Sequence, residues 1–91
     1  MRELSILRQF SEMQNNTFTS KILDVKLCED PPIIFMVLDY METDLKKVMG
    51  QDQVSISQFA ITKILYSFLC SLNFMHSANV VHRDIKPANI L

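Results

Sequence analysis

HRDIKPAN, residues 82–89, sets a histidine, an arginine, an aspartate, a lysine and an asparagine within eight consecutive positions, interrupted by Pro87. Such a run is too charged for a core segment. Its proline lacks the N–H that a helix interior needs, so the stretch reads as a loop that Pro87 stiffens and keeps from becoming a helix. Asp84, Lys86 and Asn89 offer a base, a positive point charge and a neutral amide within one turn of chain.

Upstream, the apolar residues Ile61, Ile64, Leu65, Phe68, Leu69, Leu72 and Met75 recur at helical spacing. They predict a helix from about residue 56 to about residue 76, buried on a broad face. Ser55 and Gln58 form an S-x-x-Q capping box at its start, with Val54 and Phe59 at hydrophobic-staple positions. Ser77, Ala78 and Asn79 end the helix, and Val80 and Val81 suggest a short strand leading into the loop. Before this helix, METDLKKVMG predicts a short helix capped by Thr43 or Asp44 and stopped by Gly50. PIIFMVLDY and KILDVKLC read as two strands, and the EDPP between them as a turn, so the pair is expected to be antiparallel. Residues 2–10 suit a helix with Leu4, Leu7 and Phe10 on one face, followed by a polar loop.

Composition sets limits. A formal charge of −1 spread over 91 residues provides no basic stripe for nucleic acid. Two cysteines without a CxxC spacing predict reduced thiols in an intracellular protein. The charge-free stretch from Ile64 to His82 is interrupted by Ser67, Ser71, Asn73, His76, Ser77 and Asn79, which makes it a poor membrane span. With Gly50 the only glycine, these residues hold no glycine-rich phosphate loop.

H-R-D-x-K-P-x-N specifies six of eight positions, and a chance match in a chain of this size is on the order of one in a million. The run resembles the catalytic loop of eukaryotic protein kinases. The longer stretch FMHSANVVHRDIKPANIL and the segment LDYMETDL are similar to the mitogen-activated protein kinase group, and Lys86 two residues after Asp84 follows the serine/threonine pattern. The resemblance covers Glu3 to Leu91. It implies a partial two-lobed kinase fold of α+β class: part of the small-lobe antiparallel sheet with helix C (residues 1–38), a hinge (39–43), then the helical start of the large lobe (44–91).

It also implies roles. Asp84 would orient the attacking hydroxyl and accept its proton late, an ordinary Asp pKa of about 3.9 leaving it ionised and weakly basic. Lys86 would reach the γ-phosphate, and Asn89 would give an amide oxygen to magnesium. Arg83 would bind a phosphorylated activation loop, and His82 would be a satisfied interior histidine. Glu3 matches the helix C glutamate that pairs with a strand lysine, and Leu7 a hydrophobic position of the regulatory core. Leu38 matches the gatekeeper, and Asp39 and Met41 the hinge, whose backbone binds adenine. Asp44 and Lys47 lie where ribose is contacted. ATP and Mg²⁺ are the expected cofactors. Protein substrates and an upstream activating kinase are the expected partners, without nucleic acid or membrane, in a cytoplasmic or nuclear location.

The resemblance weakens between Phe10 and Ile22, where relatives commonly carry a compact His-x-Asn turn and FSEMQNNTFTSKI has no histidine. G-x-G-x-x-G, the strand lysine, D-F-G and A-P-E are absent from these residues. The chain therefore reads as a piece of a longer domain, inactive and prone to aggregate alone. The non-enzymatic alternative is a truncated or degenerate kinase-fold interaction module.

Overall fold

The computed structural model describes residues 2–52 and 55–91 and divides the chain into two compact units, Met1–Tyr40 and Met41–Leu91. The first unit holds helix α1 (Arg2–Glu12) and strands β1 (Ile22–Cys28) and β2 (Ile33–Leu38). The second holds helices α2 (Leu45–Met49) and α3 (Gln58–Ser77) and a 3₁₀ turn, Pro87–Asn89. The class is α+β, with its sheet in the first half of the chain and most of its helix in the second.

In the first unit, α1 half-buries Leu4, Ile6 and Leu7 and buries Phe10. It outruns the expected end at residue 10 because Ser11 suits a helix terminus facing a strand. The Ser11 hydroxyl donates to the Leu7 carbonyl at 2.8 Å and accepts the Ile22 N–H at 2.8 Å, joining α1 to the first residue of β1. The loop that departs from the usual His-x-Asn turn is organised by Asn16, buried to 3 % exposure. Its amide donates to the Phe10 carbonyl (2.9 Å) and to Thr19 Oγ1 (2.7 Å), and its oxygen accepts the Phe18 N–H (3.0 Å). Asn15 beside it takes the left-handed conformation, φ 62°, which asparagine tolerates better than most residues.

β1 and β2 pair antiparallel in the register Cys28↔Ile33 through Ile22↔Leu38, with an irregularity between Ile22 and Asp24. At the far end of the ladder Asp39 is bonded twice to Lys21. Its N–H donates to the Lys21 carbonyl at 3.0 Å and its carboxylate accepts the Lys21 N–H at 2.8 Å. The expected hairpin is thus present, with Glu29–Pro32 as its turn.

In the second unit, Asp44 is the N-cap of α2, its carboxylate accepting the Lys47 N–H at 2.9 Å. Gly50 closes α2 as expected, but with φ −83° in the right-handed region, so no glycine-specific conformation is used. The first turn of α2 is fixed to the far end of the chain by the Leu45 N–H on the Ile90 carbonyl at 2.8 Å.

The start of α3 differs from the capping-box expectation. Ser57, not Ser55, is the N-cap and accepts the Ala60 N–H at 3.2 Å; Gln58 is the first helical residue. The third helical position is therefore Ala60, which has no side chain to complete a box. Val54, the outer member of the expected staple, lies outside the described residues. Ser57→Ala is expected to lower stability by about 1 kcal/mol, and Ser55→Ala by no more than a few tenths. Urea melts of both variants followed by circular dichroism would check the order.

α3 ends in a Schellman motif. Asn79 has φ 56°, its N–H reaches the His76 carbonyl at 2.9 Å, and the Val80 N–H reaches the Met75 carbonyl at 2.9 Å. Met75 is buried at this junction. The closure also explains why the strand expected at Val80–Val81 does not form. Val80 has committed its donor to the helix end, and among the described residues Val81 finds no ladder partner.

Candidate active site

From the Schellman motif the chain enters residues 80–91 as extended backbone that turns sharply at Arg83. Arg83 has φ 69°, a left-handed conformation that costs a non-glycine residue about 1–2 kcal/mol. A local hydrogen bond spans it: the Asp84 N–H donates to His82 Nδ1 at 3.2 Å. The imidazole is exposed within these residues.

Beyond Asp84 the chain stays extended through Lys86 and then forms the 3₁₀ turn. Pro87 sits at its first position, where its missing N–H costs nothing and its fixed φ starts the turn. The proline therefore initiates a short helix rather than preventing one. That turn brings Asn89 back over Asp84. The Asn89 amide donates to the Asp84 carbonyl at 2.9 Å and to Asp84 Oδ2 at 3.1 Å, while Lys86 Nζ lies 2.9 Å from the same Oδ2. Asp84, Lys86 and Asn89 thus form one cluster, side chains exposed and converging on one carboxylate.

The electrostatics follow from those contacts. The Lys86 hydrogen bond, then that of Asn89, hold the Asp84 carboxyl below its ordinary value; partial desolvation opposes them, and the charges of Lys86 and His82 add to the lowering. Because the carboxyl binds its proton more weakly folded than unfolded, the loop geometry is favoured above the ordinary carboxylate range. That preference is lost as pH falls through the lowered value. Lys86→Met removes the largest cause and is expected to raise the Asp84 pKa towards the ordinary value. A ¹³C titration of the Asp84 carboxyl would show it; an unmoved midpoint would mean that Lys86 does not hold the carboxylate in solution.

Asn89 spends its amide hydrogens on Asp84, which leaves its carbonyl oxygen as the atom with cation-binding capacity. Among the described residues no group of three or more His, Cys, Asp or Glu side chains could hold a metal. One amide oxygen fits a magnesium ion whose remaining ligands are phosphates, water and a carboxylate from elsewhere.

Asp44 and Lys47 are also brought together, through the cap and a 3.5 Å ion pair between Lys47 Nζ and Asp44 Oδ2. The Lys47 N–H is the main reason that the Asp44 carboxyl is held below its ordinary value; its side-chain hydrogen bond and charge add to this, and desolvation opposes it. Met41 and Arg83 are exposed in the same unit. Glu3, Leu38 and Asp39 belong to the first unit: Glu3 exposed in the first turn of α1, Leu38 ending β2 opposite Ile22, Asp39 bonded to Lys21. The sequence pointed only to the backbone of Asp39 and missed its side chain. A carboxylate directly after a strand, within reach of the partner strand's first amide, was the available signal.

A protein kinase domain model matches residues 1–91, the entire chain. The chain belongs to the protein kinase family. The kinase chain is 38 % identical over 90 residues to Mitogen-activated protein kinase 15 of Xenopus laevis, covering 99 % of this chain and 15 % of that protein. It is 34 % identical over 93 residues to the sporulation-specific mitogen-activated protein kinase SMK1 of Saccharomyces cerevisiae, covering 100 % of this chain and 23 % of the relative. It is 35 % identical over 91 residues to Cell division control protein 2 homolog 2 of Trypanosoma brucei brucei, covering 100 % of this chain and 25 % of the relative. The chain thus spans 15 to 25 % of the length of these curated relatives and is similar to two mitogen-activated kinases and to a cell division control protein homologue. Among its described residues no helix is long and apolar enough to cross a membrane.

Proposed function

We propose that this chain carries the catalytic loop of an ATP-dependent protein serine/threonine kinase. The observation that carries the reading is the convergence of Lys86 Nζ and Asn89 Nδ2 on Asp84 Oδ2, at 2.9 and 3.1 Å. Phosphoryl transfer needs an aligned hydroxyl and neutralised charge more than covalent help. Asp84 is ionised, exposed and fixed in direction, so it accepts a hydrogen bond from a substrate hydroxyl and takes the proton as the P–O bond forms. Lys86, beside it, places a positive charge where the transferred phosphoryl passes. Magnesium, held in part by the Asn89 amide oxygen, supplies further charge neutralisation on the ATP phosphates.

The remaining roles follow the family. Residues 1–38 contribute to the small lobe with Glu3 on helix C, residues 39–43 form the hinge, and residues 44–91 open the large lobe. Leu38, Asp39 and Met41 border adenine, Asp44 and Lys47 the ribose, and Arg83 answers to a phosphorylated activation loop. Protein substrates, an upstream activating kinase and an intracellular location, cytoplasmic or nuclear, belong to the same proposal. The glycine-rich loop, the strand lysine and the D-F-G aspartate would come from outside these residues, so the 91-residue chain alone is inactive.

The test is phosphate transfer from labelled ATP to a protein substrate by a protein that includes this chain, with Asp84→Asn as control. Transfer to serine or threonine that requires Asp84 supports the enzyme. Binding to an activating kinase without any transfer favours the interaction-module reading instead.

A further inference from the structure

Helix α1 and Asp39, the first hinge residue, have separate roles in the phosphotransfer reading, yet within the first unit they meet at a single peptide group. The peptide joining Lys21 to Ile22 donates its N–H to Ser11 Oγ at 2.8 Å, and its carbonyl accepts the Asp39 N–H at 3.0 Å. On the helix side the Ser11 hydroxyl donates its own hydrogen to the Leu7 carbonyl at 2.8 Å. The bonds all run in one direction, from Asp39 through the Lys21–Ile22 peptide and Ser11 to Leu7, so each polarises the next. A peptide group is planar and stiff, and a tilt at its N–H end is also a tilt at its carbonyl end. A second bond, from the Lys21 N–H to Asp39 Oδ1 at 2.8 Å, fastens Lys21 to the half-buried Asp39 side chain.

We propose that Ser11 and the Asp39 side chain are positioning residues that lock α1 to the start of the hinge through the Lys21–Ile22 peptide, so that the setting of α1 and the grip of the hinge on a purine base change together. The purine rests on the kinase reading; the lock does not depend on it. Serine suits the junction because a hydroxyl accepts one hydrogen bond while donating another. Threonine can do the same, and alanine can do neither. The loop between Glu12 and Lys21 has no His-x-Asn turn, and its exit is held by Ser11 and Asp39 instead.

The experiment uses a protein that includes this chain. Hydrogen exchange is first followed at the Lys21 and Ile22 amides without nucleotide. Ser11→Ala is expected to speed exchange of the Lys21 amide, whose acceptor is Asp39, about tenfold, and Asp39→Ala to do the same for the Ile22 amide, whose acceptor is Ser11. Ser11→Thr keeps both amides protected. Binding of adenosine, which carries the base without phosphates, is then measured by calorimetry. Ser11→Ala and Asp39→Ala are each expected to weaken it about three- to tenfold, and the double variant no more than the worse single one, because either cut opens the same lock. Exchange that changes only at the amide whose acceptor was removed, additive losses in the double variant, or Ser11→Thr behaving like Ser11→Ala overturns the proposal. Coupled amides in a protein whose native form binds no adenosine would reject the kinase reading and leave the lock standing. Adenosine binding by a native protein whose amides are uncoupled would reject the lock alone.

Discussion

Asp84→Asn is expected to lower the phosphotransfer rate of an enzyme containing this chain by about 10²–10⁴-fold, with little change in KM for ATP. The substitution is nearly isosteric, so the 3₁₀ turn and the Lys86 and Asn89 side chains stay in place. What it removes is charge and basicity. In the native loop Oδ2 already receives Lys86 at 2.9 Å and Asn89 at 3.1 Å, so the carboxylate is held by two donors and turned to meet a third, the substrate hydroxyl. An amide in its place offers a weaker acceptor and cannot take a proton. The loss should therefore fall on kcat, since the group acts on the nucleophile and not on the nucleotide. Steady-state kinetics of the wild-type and variant enzymes would measure it. A variant within threefold of wild type would remove Asp84 from the chemistry.

Asn16→Ala is expected to be the most damaging polar substitution in the first unit. It removes the hydrogen bonds that the buried Asn16 makes to the Phe10 carbonyl, the Phe18 N–H and Thr19 Oγ1, at a cost of about 1–3 kcal/mol. Asn16→Asp divides the effect, because a carboxylate still accepts the Phe18 N–H but has no hydrogen for the Phe10 carbonyl. The expected order of stability is Asn, then Asp, then Ala. Hydrogen exchange at the end of α1 and at Ile22 would read it, because Ser11 and Asn16 act at the same junction. If Ala and Asn exchange alike there, the loop is held by something else.

The strands were legible because apolar runs of strand length flank a turn with two prolines, and no helix pattern competes with that reading. The end of α3 was legible for a similar reason: asparagine at residue 79 suits the left-handed position of a Schellman motif. Its start was not. Ser55 and Ser57 both precede an apolar periodic run, and only Ser55 has a glutamine three residues on, so the pattern selected the wrong serine; backbone direction at the cap decides the matter. At the site, the spacing of Asp84, Lys86 and Asn89 pointed to one cluster, and the structure forms one. The contact of His82 with a backbone amide leaves no mark in the side-chain pattern. The role of Pro87 was half legible, since the same missing N–H that bars a helix interior suits a helix start.

The hydroxyls of α3 have a consequence for how this helix can be used. Thr62, Ser71 and Ser77 each donate to the carbonyl four residues back, at 2.9, 2.9 and 2.7 Å. Around them Phe59, Ile61, Leu65, Tyr66 and Leu69 are exposed. A serine that relied on water for its hydrogen bond would resist being covered, at about 1–3 kcal/mol each. These three carry their acceptors with them. At these three positions the helix is already prepared for a dry surrounding. Protein could close over Thr62, Ser71 and Ser77 without stranding their hydroxyls.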